Sequence, residues 1–179
     1  VACAIDDEAQ NHQLMLLHGA QGKGKSTFVR HLLPPELKDY YRNGMISPDN
    51  KDHLLQMSSC LLINLDEFDT LSPARMQELK SLITQDVMNE RKVYDIQNYT
   101  FIRRASFIAS TNNPHCLPDI GENRRILFNT LLEIDYHTPV NHQGIYAQAY
   151  ALYQQGFQYW YENQEITFLN NRNEAFRQK

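Results

Sequence analysis

The 179 residues include 17 basic and 21 acidic side chains, for a formal net charge of −4, which argues against a globally basic nucleic-acid binder but allows a local basic site. A hydrophobic content of 42% is ordinary for a globular protein, and no apolar run approaches the roughly 18 residues of a membrane span. Three scattered cysteines predict a reducing, cytoplasmic location. The length predicts one domain over residues 1–179, and the missing initial Met predicts a segment of a longer protein.

The first pattern with a chemical meaning is a glycine-rich loop. A short helix at residues 1–9 and a strand at residues 14–18 are predicted before it, and a helix at residues 24–33 after it. The loop reads Gly-x-x-x-x-Gly-Lys-Ser, the phosphate-binding loop of nucleoside triphosphatases, in which glycines let backbone N–H groups point at the phosphates. The predicted nucleotide-binding residues are Gly19, Gln21, Gly22, Lys23, Gly24, Lys25, Ser26 and Thr27.

In this loop pattern, two side chains do the chemistry. Lys25 is expected to reach the β- and γ-phosphates, and the Ser26 hydroxyl to ligate Mg²⁺. The sequence therefore predicts ATP and Mg²⁺ as cofactors.

An acidic pair follows the next predicted strand, which covers the apolar residues 60–65 and lies after a polar, turn-rich stretch at residues 37–52. The carboxyl end of a parallel strand is where α/β sheets bind ligands. Asp66 is expected to hold Mg²⁺, and Glu67 to polarise the attacking water as general base. A base for water favours a hydrolase over a small-molecule kinase, because kinases exclude water.

The second half of the chain supplies two further candidate motifs. A helix at residues 72–89 and a hairpin with arms at residues 93–96 and 100–104 precede a buried strand at residues 106–110. Asn112 follows that strand and is expected to orient the γ-phosphate and the lytic water. Arg124 and Arg125 precede a strand at residues 126–134, and either one suits an arginine finger placed against a neighbour's γ-phosphate.

Strands that alternate with helices, several of them apolar throughout, predict a three-layer α/β fold with a mostly parallel central sheet. Aromatic residues at helical spacing near the C-terminus predict a helix face packed into the core. They are Tyr146, Tyr150, Tyr153, Phe157 and Trp160.

The order of these motifs resembles the virulence-associated protein E family, over residues 14–135. That resemblance implies an AAA+-type P-loop ATPase of the superfamily III helicase kind, often the motor half of phage and mobile-element primase–helicases. It implies that Lys25 and Ser26 belong to the phosphate loop, and Asp66 and Glu67 to the metal and water site. It also implies that Asn112 is the sensor asparagine and that Arg124 or Arg125 is the finger.

The resemblance also implies a hexameric ring with a hairpin pointing into the central pore, where single-stranded DNA would pass. The candidate DNA contacts are Lys92, Tyr99, Arg103 and Arg104. The predicted function is Mg²⁺-dependent ATP hydrolysis by a helicase-type motor domain. Two alternatives stay open: a P-loop phosphotransferase acting on a small molecule, and a nucleotide-gated assembly module without significant turnover.

Overall fold

A parallel sheet of five strands, in the order β2-β3-β6-β1-β7, forms the centre of the protein. The computed structural model describes residues 1–47, 50–66, 68–91, 98–117 and 123–177. The strands of the sheet are β1 (Leu14–His18), β2 (Tyr41–Asn43), β3 (Leu62–Leu65), β6 (Ser106–Thr111) and β7 (Ile126–Thr130). Strand β1 pairs with β6 on one side and with β7 on the other. The glycine-rich loop, which follows the carboxyl end of β1, therefore lies between the carboxyl ends of these two strands.

Helices cover both faces of this sheet, and β4 (Val87–Arg91) and β5 (Asn98–Ile102) form a separate antiparallel hairpin. The helices are α1 (Ala2–Ile5), α2 (Lys25–Arg30), α3 (Lys51–Ser59), α4 (Pro73–Ile83), α5 (His142–Gln154) and α6 (Asn163–Asn173). Short 3₁₀ turns occupy Pro35–Tyr40, Phe68–Thr70 and Glu174–Phe176. None of the helices in the described part of the chain combines the length and apolar composition needed to cross a membrane.

The core is divided by the sheet, because alternate side chains of each strand point to opposite faces. Leu16 belongs to the larger cluster, which includes the buried Leu82 of α4, whereas Leu17 packs with Val29 of α2 in the smaller one. The predicted three-layer α/β fold with a parallel central sheet is confirmed.

Several element boundaries differ from those predicted. Helix α3 was not predicted and begins within the last two residues of the segment predicted to be rich in turns; Asn50 caps this helix by accepting from the backbone N–H of Asp52 at 3.0 Å. Helix α4 ends at Ile83 rather than residue 89, and the chain enters β4 at Val87. In the strand, the Met88 side chain belongs to the larger core cluster and is 1% exposed. The hairpin arms therefore lie at 87–91 and 98–102, and β7 ends four residues earlier than predicted, at Thr130.

Arg103, which the sequence assigns to DNA contact, lies inside the domain. Its guanidinium donates to the carbonyls of Gln85 (2.9 Å), Ala105 (2.8 Å) and Asn11 (2.8 Å) and pairs with Asp86 at 3.2 Å. The side chain is 2% exposed. All three guanidinium nitrogens of Arg103 therefore donate hydrogen bonds within the fold, and the prediction that Arg103 contacts nucleic acid is wrong. The residue instead connects the hairpin to the segment before β1.

This arrangement predicts a large loss of stability on replacing Arg103 by Met. One buried and two part-buried carbonyls would lose their donor, and Asp86 would lose its ion pair, so we expect the free energy of unfolding in urea to fall by about 3 kcal/mol. Arg75→Met is the matched control: Arg75 is 52% exposed in its pair with Glu78, and its loss should cost below about 1 kcal/mol. Equal losses in the two variants would contradict a structural role for Arg103.

The aromatic stripe at the C-terminus is not core, contrary to the prediction. Tyr150 is 47% exposed, Phe157 56% and Trp160 45%, and α5 contains no buried residue. The reason is that α5 lies at the periphery and attaches through tyrosine hydroxyls. Tyr146 donates to the Leu32 carbonyl at 3.1 Å, and Tyr153 donates to the Asp6 carboxylate.

Candidate active site

A cavity of about 660 Å³ opens at the carboxyl ends of the neighbouring strands β3, β6 and β1. Residues 21–27 of the glycine-rich loop form one wall of it. The other lining residues are Asp66, Asp69, Thr70, Ser110, Thr111, Asn112 and Tyr136. The strand order thus brings together residues that are about 40 to 110 positions apart in the sequence.

The loop backbone requires glycine at two of its positions. Gly22 and Gly24 have φ of +78° and +80°, a region that side chains with a Cβ rarely adopt. At Gly24 a Cβ would also lie 2.1 Å from Cδ1 of Tyr136. Tyr136, which the sequence analysis did not select, therefore packs directly on the glycine-rich loop.

The Lys25 ammonium is held at the inner end of this cavity. Its Nζ donates to the Gly19 carbonyl (2.6 Å), the Ala20 carbonyl (3.0 Å) and Asn112 Oδ1 (2.8 Å). Burial lowers its pKa, an effect that the charges of Asp66 and Asp69 oppose. The predicted loop lysine and the predicted sensor asparagine are thus in direct contact.

Asp66 lies beside the loop, where three side chains donate hydrogen bonds to its carboxylate. They come from Ser110 Oγ (2.7 Å), Asn43 Nδ2 (3.0 Å) and Ser26 Oγ (3.1 Å). Burial raises the pKa of this carboxyl, but the hydrogen bonds outweigh burial and hold the pKa below its usual value. The group is therefore an anion at neutral pH.

A hydroxyl beside an ionised carboxylate is an oxygen donor pair of the kind that Mg²⁺ binds together with phosphate oxygens. Ser26 and Asp66 therefore fit the metal site that the sequence predicts. Among the described residues, no group of three or more His, Cys, Asp or Glu side chains gathers as a metal site. Such a cluster is not required here, because the nucleotide's own oxygens would supply further ligands.

Asn43 and Ser110 complete the support of Asp66, and sequence reasoning missed both. Asn43 ends the edge strand β2 and accepts at Oδ1 a hydrogen bond of 2.9 Å from Asn64 Nδ2. Asn64 is 0% exposed within the otherwise apolar β3. That buried amide in an apolar run was the available signal, since a buried polar group needs a partner on a neighbouring strand.

The two candidate finger arginines lie at the amino ends of the strands, opposite the carboxyl ends where the cavity opens. The Arg125 carbonyl accepts from the backbone N–H of Leu14, the first residue of β1, at 2.7 Å. The glycine-rich loop follows the last residue of β1, about 16 Å away at a rise of about 3.3 Å per residue. Arg124 and Arg125 are therefore far from the phosphate loop of their own chain. Their turn is anchored by Asn123, whose Oδ1 accepts from the buried Lys80 at 3.0 Å.

The remaining predicted residues lie partly outside the described part of the chain. Glu67 and Lys92 are among the residues that the structure does not describe. Tyr99 on β5 lies with its ring centroid 6.3 Å from that of Phe101. Arg104 forms an ion pair with Asp7 and keeps 27% of its side chain exposed.

Comparisons with known proteins identify the family. Three apo structures of the C-terminal region of NrS-1 are similar to the chain, at identities of 17%, 16% and 21% and TM-scores of 0.50, 0.48 and 0.45. They cover 94%, 93% and 94% of this chain, which in turn spans only 35%, 36% and 36% of theirs. No curated protein matches the chain. The family model of the virulence-associated protein E-like domain matches residues 1–178, and the chain therefore belongs to that family.

Proposed function

We propose that this domain binds ATP with Mg²⁺ and hydrolyses it. The observation that carries the proposal is the convergence of Lys25, Asn112, Ser26 and Asp66 in one cavity next to a glycine-rich loop. A phosphate-binding cation, a polar sensor and an oxygen pair suited to a divalent metal are the parts that phosphoryl transfer requires.

In the proposed reaction, a γ-phosphate oxygen replaces a loop carbonyl as a partner of the Lys25 ammonium. Asn112, already 2.8 Å from that ammonium, would orient the γ-phosphate and the attacking water. Bound Mg²⁺, held by Ser26 and Asp66, would neutralise charge on the phosphates. The water oxygen bonds to the γ-phosphorus, its proton passes to the Glu67 carboxylate, and the bond to the β-phosphate oxygen breaks to release ADP.

We infer further that the domain is the motor of a helicase-type replication protein of a phage or mobile element. Membership in the virulence-associated protein E-like family supports this role. Single-stranded DNA, a hexameric ring and a cytoplasmic location belong to the same proposal, with Tyr99 and Arg104 as the described candidate DNA contacts and Lys92 as a further one.

The proposal predicts that Glu67→Gln separates binding from chemistry. The variant should bind ATP as the wild type does, because the amide keeps the size of the carboxyl, but its turnover should fall by about 10²–10⁴-fold for want of a base. Phosphate release, measured with and without single-stranded DNA, checks this, and Glu36→Gln at an exposed position is the control. Unchanged turnover in Glu67→Gln would reject Glu67 as the base. Transfer of phosphate to a small molecule would support the alternative of a phosphotransferase. No turnover in the wild type would support the alternative of a nucleotide-gated assembly module.

A further inference from the structure

A second cavity, of about 700 Å³, lies at the end of the sheet opposite the phosphate loop. Most residues between 6 and 13, which lead into β1, form one side of it, and most residues between 153 and 161, at the end of α5 and directly after it, form the other. The second side is aromatic: Tyr153, Phe157, Tyr159, Trp160 and Tyr161. Three of these residues are well exposed, at 56% for Phe157, 45% for Trp160 and 37% for Tyr161.

The rings offer their faces to a ligand rather than their polar atoms. Tyr159 and Trp160 stand at 88° to each other with centroids 5.1 Å apart, so they form two perpendicular walls. Trp160 Nε1 donates to Glu162 Oε1 at 2.6 Å, and the Tyr153 hydroxyl donates to Asp6. Because these two donors are already bound to carboxylates, Trp160 and Tyr153 offer a ligand their ring surfaces, across the cavity from polar side chains such as Gln10 and Gln13.

The charge of the cavity selects the sign of the ligand. Asp6 and Glu8 are among its described lining residues, and no Lys or Arg is. The hydrogen bond from Tyr153 holds the pKa of Asp6 below its usual range, so this carboxyl is ionised at neutral pH. The phosphate cavity, by contrast, is lined by Lys23 and Lys25. Aromatic faces beside carboxylates attract ammonium and guanidinium groups and repel phosphates.

We propose that this cavity binds arginine or lysine side chains of a basic peptide segment of a partner protein. A basic peptide is the occupant that the lining favours, because exposed aromatic rings beside Asp6 and Glu8 complement basic side chains, and a cavity of about 700 Å³ has room for more than one of them. The basic side chain lies against the perpendicular rings of Tyr159 and Trp160, and the carboxylates neutralise its charge. This site is independent of nucleotide binding and rests on different residues.

The chain offers a direct readout, because Trp160 is its single tryptophan. A tetra-arginine peptide blocked at both ends is titrated while Trp160 fluorescence is followed, and the tetra-citrulline peptide is the neutral control of the same shape. We expect a saturable fluorescence change with the arginine peptide, at least about tenfold weaker binding of the citrulline peptide, and weaker binding at high salt. No saturable change with the arginine peptide, or equal binding of both peptides, would overturn the proposal.

Two variants test the walls of the cavity. Asp6→Asn keeps an acceptor for the Tyr153 hydroxyl but removes the charge, and Tyr159→Leu removes one ring; each should weaken the arginine peptide about five- to tenfold. Glu133→Gln, an equal change of charge beyond the other end of the sheet, should leave binding unchanged. Equal affinity of Asp6→Asn and wild type would overturn the role of charge. An oligothymidine that produces the Trp160 response in place of the peptide would assign the surface to nucleic acid and also overturn the proposal.

Discussion

Replacing Lys25 by Ala should lower the kcat/KM for ATP by about 10²–10³-fold or more. The fold holds the Lys25 ammonium inside the cavity beside the glycine-rich loop, where the ammonium donates hydrogen bonds to Gly19, Ala20 and Asn112. Preorganised charge of this kind is worth more than the same charge on a mobile surface side chain, because it needs no reorganisation during the reaction. Steady-state phosphate release measures the loss.

An exposed lysine outside the cavity provides the control for this experiment. Lys38 lies in the turn Pro35–Tyr40 and is not among the residues that line the cavity, so Lys38→Ala should change kcat/KM by less than about fivefold. Melting curves of both variants establish that they are folded. Wild-type turnover in Lys25→Ala, or equal losses in the two variants, would contradict the assignment of Lys25.

The second large effect is expected at the interface between subunits of the proposed ring. Arg124 and Arg125 lie at the edge of the sheet away from their own phosphate loop, so an arginine finger can act only on the site of a neighbouring chain. We expect the double variant Arg124→Ala/Arg125→Ala to lose about 10³–10⁵-fold in turnover, the range for loss of such a finger. ATP binding at low concentration should be retained, because the loop is unchanged.

A mixture of two inactive variants tests whether the arginines act on a neighbouring chain. A Lys25→Ala chain still supplies its arginines, and the double arginine variant still supplies a working loop, so a mixture should recover part of the activity that each lacks alone. Recovery should increase with protein concentration as mixed interfaces fill. If sedimentation shows mixed oligomers of the intact protein and no activity returns, the arginines are structural. If activity does return, the single substitutions Arg124→Ala and Arg125→Ala show which of the two arginines acts as the finger.

Sequence reasoning reached the parts of this protein that local chemistry determines. The spacing within the glycine-rich loop, the apolar strands and the polar residue at the end of each strand predicted both the parallel sheet and the meeting of Lys25, Asp66 and Asn112. Parallel strands have their carboxyl ends at one edge, so residues distant in sequence could be placed together without coordinates.

What the sequence could not supply depends on tertiary contacts. Asn43 supports Asp66 only because the short strand β2 pairs with β3. Strand β2 lies in a polar segment whose sequence shows no strand pattern, so this pairing could not be predicted. Arg103 was placed on a DNA surface because a pair of arginines beside a hairpin resembles a basic patch, whereas the carbonyls around it come from several separate segments.

The aromatic residues near the C-terminus show the same limit. Helical spacing indicates which residues share a face, but it does not say whether another element covers that face. In the structure, tyrosine hydroxyls attach α5 at the periphery, and the aromatic residues that follow α5 line the second cavity.

The most direct test of nucleotide binding at the glycine-rich loop is a calorimetric titration of ATP into the wild-type chain, with Mg²⁺ and again with EDTA. The account predicts saturable one-to-one binding with Mg²⁺ and binding at least about tenfold weaker with EDTA, because Ser26 and Asp66 would then lack the ion that links them to the phosphates. An absence of saturable binding, or equal affinity with and without Mg²⁺, would contradict it.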